Sequence, residues 1–166
     1  MANYYASLTR ALREDEVPKG ISSLEDFTRY YKPAESLTTY SRGNWLSWAI
    51  ERCASAYELQ GICYLTAPAA VLSPLEVVRV AGQLESLLQG ITLAPGKLIE
   101  LLQQDAWSEE ELRAVLQSPA SPWDPLRESD DGDDPPYLLS FLCAHLALLQ
   151  YAIERNLYVV FARTPD

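Results

Sequence analysis

Apolar residues recur at three- and four-residue steps along much of the chain, a period that predicts helices. The sharpest instance opens at Ser73-Pro74-Leu75-Glu76 and continues through Val77, Val80, Ala81, Leu84, Leu87 and Leu88. Serine caps, proline takes the first helical position without losing a hydrogen bond, and Glu76 reaches back to complete the capping box. Gly90 is placed to supply a left-handed stop. A longer helix is predicted over Tyr137–Arg155, where Leu138, Leu139, Phe141, Leu142, Leu146, Leu149 and Ile153 cover much of the circumference and Asn156 ends it. Leu46, Ala49, Ile50, Cys53 and Tyr57 form another stripe, widened by Trp45 and Trp48, with Asn44 as N-cap. Shorter helices are expected over Lys97–Gln104 and after Ser108, which pairs with Glu111 as a second box; Pro119 ends the latter. Nearer the start, Thr9–Val17 is charged and helix-compatible, closed by Pro18-Lys19-Gly20. Ser22 and Glu25 then open a helix carrying Leu24, Phe27, Tyr30 and Tyr31 as far as Pro33.

The strand signals are fewer. Leu157–Ala162 is β-branched and aromatic, Gly61–Thr66 reads as a short buried strand, and Asn3–Leu8 alternates weakly, which fits a short strand and leaves a helix starting there open. Ser118–Pro136 holds five prolines and six acidic residues, a composition that predicts a surface loop. Too little chain follows this loop to form a core of its own. The expectation is one α+β domain over residues 1–166, predominantly helical with a small β-sheet and a proline-rich acidic loop at 118–136.

The order of these elements resembles the YfbM-like family of uncharacterised bacterial proteins. The resemblance is carried by the tryptophan-containing helix near Asn44–Ala54, by Gly61-Ile62-Cys63-Tyr64-Leu65-Thr66, and by the Leu75–Leu88 helix ending Leu84-Glu85-Ser86-Leu87. The long C-terminal helix and final hydrophobic strand complete it, so it spans about Asn3 to Ala162. The first 40 residues and the acidic Ser118–Pro136 segment depart from the pattern. The resemblance implies an α+β fold in a bacterial cytoplasm and carries no catalytic residues to transfer.

Composition narrows the classes further. Hydrophobic residues make up 48% and charged residues 22%, a globular balance that excludes a disordered tail or a collagen-like repeat. Thirteen basic against 23 acidic residues give −10, a field that repels phosphate backbones, so no nucleic-acid partner is expected. Cys53, Cys63 and Cys143 are odd in number and lack CxxC spacing, which reads as reduced, buried thiols in a cytosolic protein. The opening residues lack the apolar stretch of a secretory signal. Neither long uncharged stretch, Leu59–Leu75 or Pro135–Ile153, offers the ~20 mainly apolar residues that a membrane span requires. A cytoplasmic chain with no membrane partner is the expectation.

Candidate chemistry is sparse. His145 is the only histidine and lies beside the apolar face of its helix. A dyad with Cys53 or Cys63 would give a thiolate nucleophile, since an adjacent imidazole lowers a thiol pKa. A buried structural histidine explains the same position more simply. Three cysteines and one histidine could be counted as zinc ligands, yet no two form a chelating pair. Asp130-Asp131-Gly132-Asp133-Asp134 fails the EF-hand template: with Gly132 sixth, Arg127 stands first and Leu138 last, where acidic ligands are needed. No glycine cradle for phosphates, GxSxG or HExxH occurs, and Glu109-Glu110-Glu111 suits the positive end of a helix dipole. No cofactor and no metal are expected.

Charge position says more than charge total. Residues 1–60 carry seven basic and eight acidic side chains, a net of −1; residues 61–166 carry six and fifteen, a net of −9. The excess is densest around the proline-rich loop, which also holds Trp123 and lies near Trp107. Trp123, Asp124, Asp130, Asp131, Asp133 and Asp134 are therefore candidates for binding a basic protein partner, because charge speeds encounter and an aromatic ring supplies burial. A small inhibitor of the immunity type, masking a cationic toxin, is the sharpest form of this reading. Solubility alone is the plainer explanation of the same charge. The alternative is an enzyme or small-ligand binder with a pocket lined by Cys63 and His145. Oligomeric state is not fixed by the residues, although the apolar surplus of Tyr137–Arg155 would tolerate a dimer interface.

Overall fold

Two runs of β-branched and aromatic residues from opposite ends of the chain pair to make the centre of the sheet. The structure is a computed structural model and describes residues 4–21, 25–26, 37–42, 45–103, 106–118 and 134–163. Strand β1 (Tyr4–Leu12) runs antiparallel to β4 (Tyr158–Arg163), with Ser7 opposite Arg163 and Thr9 opposite Phe161. β2 (Leu37–Arg42) adds to the outer side of β1, and β3 (Ala69–Leu72) to the outer side of β4. The order is β2-β1-β4-β3. Strand alternation divides these residues between two faces. Val159 and Phe161 join the main core beneath the helices, whereas Leu8, Leu12, Val160 and Ala162 cluster on the reverse with Val17 and Ile21.

Among the described residues, α-helices lie over the first face: α1 (Trp45–Ala56), α2 (Pro74–Leu93), α3 (Pro95–Leu102), α4 (Glu109–Gln117) and α5 (Pro135–Arg155). The architecture is α+β, predominantly helical with a small antiparallel sheet. α5 is the central piece. It packs along α2, against α4 and over β1, burying Leu138, Leu139, Phe141, Leu142, Leu148 and Leu149. By length and composition α5 could cross a membrane, and 56% of its apolar window is buried inside the fold. The expectation that Pro135–Ile153 falls short of a span is thus corrected. The helix gains its full 21 residues because Pro135 and Pro136 occupy its first turn, where a missing N–H is harmless. The same observation shortens the proline-rich loop, whose last two residues are helical.

Local end signals behave as their chemistry dictates. Ser73 and Ser108 each accept the N3 amide while Glu76 and Glu111 return the favour, and Asn156 ends α5 in the left-handed region at φ 54°. Gly90 does not stop α2, which continues to Leu93. A side chain at residue 90 would sit 3.3 Å from the Tyr57 ring, so this glycine admits a close neighbour. Pro95 ends α2 instead, because the residue before a proline is pushed out of helical geometry. The expected helix over Lys97–Gln104 is α3, set two residues earlier by that proline.

The extended segments required more correction. Gly61–Thr66 is a 3-10 helix (Gln60–Thr66), not a strand. Gln83 Oε1 accepts the Gly61 amide at 2.7 Å, Thr66 Oγ1 donates to the Cys63 carbonyl at 2.9 Å, and the Arg163 guanidinium donates to the Thr66 carbonyl. The strand partner of β4 is Ala69–Leu72. Thr9–Val17, read as helix-compatible, is strand as far as Leu12, because β1 has a neighbour on both sides; only Glu14–Glu16 turns as 3-10. Of the expected Ser22–Tyr31 helix, Glu25 and Asp26 are helical and the rest lies outside the described residues, as does the Asn44 cap.

Gln103 closes α3 at φ 56°, a left-handed geometry that costs a side-chain-bearing residue about 1 kcal/mol. Gln103→Gly is expected to raise stability by roughly that amount in urea unfolding. A loss of stability would show that the Gln103 side chain holds the cap.

Candidate functional site

His145 is wholly buried between α5 and the sheet. Phe141 stacks one turn away at 4.3 Å between ring centroids, and Phe161 of β4 lies edge-on at 6.1 Å. Both ring nitrogens are occupied: Nδ1 lies 2.8 Å from the Phe141 carbonyl and Nε2 lies 2.8 Å from Thr9 Oγ1. A carbonyl can only accept, so Nδ1 carries the proton and donates, and Nε2 accepts from the Thr9 hydroxyl. That arrangement satisfies a neutral imidazole completely. Burial pushes its pKa down to about 4, partly opposed by the Phe141 hydrogen bond.

This geometry removes the dyad. A thiol needs an imidazole nitrogen to take its proton, and neither nitrogen of His145 is open to one. The thiols point the same way. Burial drives Cys53 up to about 12, and raises Cys143 and Cys63 above the ordinary thiol range, with Glu51 adding to the rise at Cys63. Activated cysteines are displaced in the opposite direction. Cys63 Sγ instead lies 3.7 Å from Gln60 Oε1, within its own turn of 3-10 helix. The proposed Cys63–His145 lining is therefore not a reactive pair. Among the described residues, no three of His, Cys, Asp or Glu converge as a metal ion would need.

Of the acidic candidates, Asp134 lies among the described residues, while Trp123, Asp124, Asp130, Asp131 and Asp133 lie outside them. Asp134 is the N-cap of α5: its Oδ1 accepts the Tyr137 amide at 2.8 Å, and its charge sits at the positive end of the helix dipole. The acidic run thus ends on a fixed point of the core helix. Trp107, expected near this region, is half-buried against the main core.

The structure adds a feature that sequence reasoning missed. An open groove of about 590 Å³ runs between α2, α5 and the end of α4. Its floor is formed by Leu88, Leu116, Cys143, Leu146 and Ala147, and Glu85, Gln89 and Gln150 stand exposed at its rim. Leu93 lies at its mouth, 83% exposed. The available signal was the placement of Leu93 beyond the expected helix end at Gly90. Without the α2–α5 contact it points nowhere.

Comparison with protein-family models, with curated proteins and with solved structures finds no match to this chain.

The buried imidazole has a measurable consequence. Its folded pKa lies below the ordinary 6.5, so on acidification the unfolded chain takes a proton that the folded chain refuses. The resulting stability is fully present above pH 6.5 and is lost as pH falls towards 4, by about 3 kcal/mol. Urea unfolding from pH 7 to pH 4 is expected to show this loss, and His145→Gln to flatten that part of the profile. An unchanged slope in the variant would mean that His145 is not the titrating group.

Proposed function

We propose that the chain is a non-enzymatic, acidic protein-interaction module of the bacterial cytoplasm that engages a basic protein partner. An immunity-type inhibitor covering a cationic toxin domain is its most specific form. The reading is carried by one observation: of the net −10, residues 61–166 hold −9, concentrated in the stretch that ends at the Asp134 cap. Asp134, the last carboxylate of that stretch, caps the first turn of the core helix. Charge of one sign concentrated in one stretch of sequence favours rapid, salt-sensitive encounter with a cationic surface.

Trp123, Asp124, Asp130, Asp131 and Asp133 are the residues assigned to the contact, with the tryptophan supplying apolar burial and the carboxylates supplying attraction. Asp134 contributes to the field while its Oδ1 is committed to the Tyr137 amide. Kinship with the YfbM-like family, resting on element order, is part of this proposal and supplies the bacterial setting. The pocket reading built on Cys63 and His145 is set aside, since the imidazole is saturated and the thiol is raised.

Replacing Asp130, Asp131 and Asp133 together by Asn, with the Asp134 cap left intact, tests the assignment. Association with a co-purifying basic polypeptide is expected to weaken about tenfold at low salt, and much less at high salt, where screening has already removed the attraction. Unchanged association across the salt series would take this segment out of the contact.

A further inference from the structure

We infer that the groove between α2 and α5 seats a basic amphipathic helix of the partner. The inference rests on the interaction reading above and names the surface on which it acts. Two rows of side chains line it: Glu85, Leu88 and Thr92 on α2, and Cys143, Leu146 and Gln150 on α5. Each row extends over two helical turns, roughly 10 Å at ~1.5 Å per residue. A third helix laid in such a furrow offers apolar anchors at the same three- and four-residue spacing.

The exposed apolar side chain at the mouth supports burial by an occupant. Leu93 stays in water although α2 buries Leu84, Leu87, Leu88 and Ile91. Charge selects which occupant. Of the described residues lining the groove, only Glu85 is charged. The Arg113 guanidinium donates to the Thr92 carbonyl at 3.3 Å and lies 3.9 Å from Glu109, so its charge is partly answered within the fold. A second copy of this chain would bring another −10 to the surface. A helix with Lys or Arg flanking its apolar stripe is attracted instead, and one of its cations can meet Glu85 at the rim.

Fluorescence anisotropy with three labelled peptides tests this: a Leu/Lys peptide of helical period, the same composition with the period scrambled, and a Leu/Glu peptide of helical period. The periodic Leu/Lys peptide is expected to bind about tenfold tighter than either control. Leu93→Asp and Glu85→Lys change exposed side chains, so melting is expected to stay unchanged while affinity for that peptide falls by about tenfold. Equal binding of the periodic and scrambled peptides, no binding of any peptide, or full binding by both variants would overturn the groove assignment. So would a homodimer that Leu93→Asp dissolves, because the face would then belong to a second copy. If the Asp130, Asp131 and Asp133 replacement abolishes partner binding while Leu93→Asp leaves it intact, the groove is wrong and the acidic-segment reading survives. If Leu93→Asp abolishes partner binding and the Asn replacement leaves it intact, the groove assignment stands alone.

Discussion

A helix that is apolar around most of its circumference must be covered on several sides, and the burial of α5 constrains every other placement in this fold. One side meets the sheet through Phe141 and His145, and other contacts are made by α2 and α4. His145 is the one ionisable side chain on the buried surface of α5, so its hydrogen-bond partners must be exact neighbours in space. Thr9 supplies the distant one, 136 residues away in sequence. That bond ties α5 to β1 beside the apolar packing, and leaving Nε2 without it would cost about 1–3 kcal/mol. Pairing of the first strand with the last then closes the chain around the helix.

The same constraint decides what the protein offers its surroundings. The residues with the most chemical potential, His145 and Cys53, are used up as packing and are held neutral by burial. What the described residues leave open is shape: a furrow where α2 and α5 are not fully covered by α4. Attraction at long range and burial at short range are the two ingredients of a protein contact, and the proposed function draws on both.

Helix ends were legible because capping is local. Ser73 with Glu76, Ser108 with Glu111, and Asn156 each act within one turn, so neighbouring residues contain the whole reason. Strands were legible at Tyr158–Arg163, where composition is extreme, and in part at Asn3–Leu8, whose tyrosines and weak alternation mark the first half of β1. β3 is four residues of Ala-Ala-Val-Leu whose reason for being extended is the edge of β4, which no local pattern shows. β2 depends on its neighbour β1 in the same way, and its Thr-Thr-Tyr core is only a weak local signal. Gly61–Thr66 misled because hydrophobic and aromatic residues suit a buried 3-10 turn as well as a strand. The structural role of His145 could be anticipated from its helix face; the saturation of both nitrogens could not, since Thr9 reaches it only through the fold. For the groove the one local hint was Leu93, and only the α2–α5 contact gives it meaning.

The proposed contact with a basic protein can be read from native mass spectrometry of the chain purified from its own cells. A complex containing a second, basic polypeptide that falls apart as ionic strength rises is expected. A chain that carries a small molecule or a metal ion in place of that polypeptide, or that travels alone at every salt concentration, would contradict it.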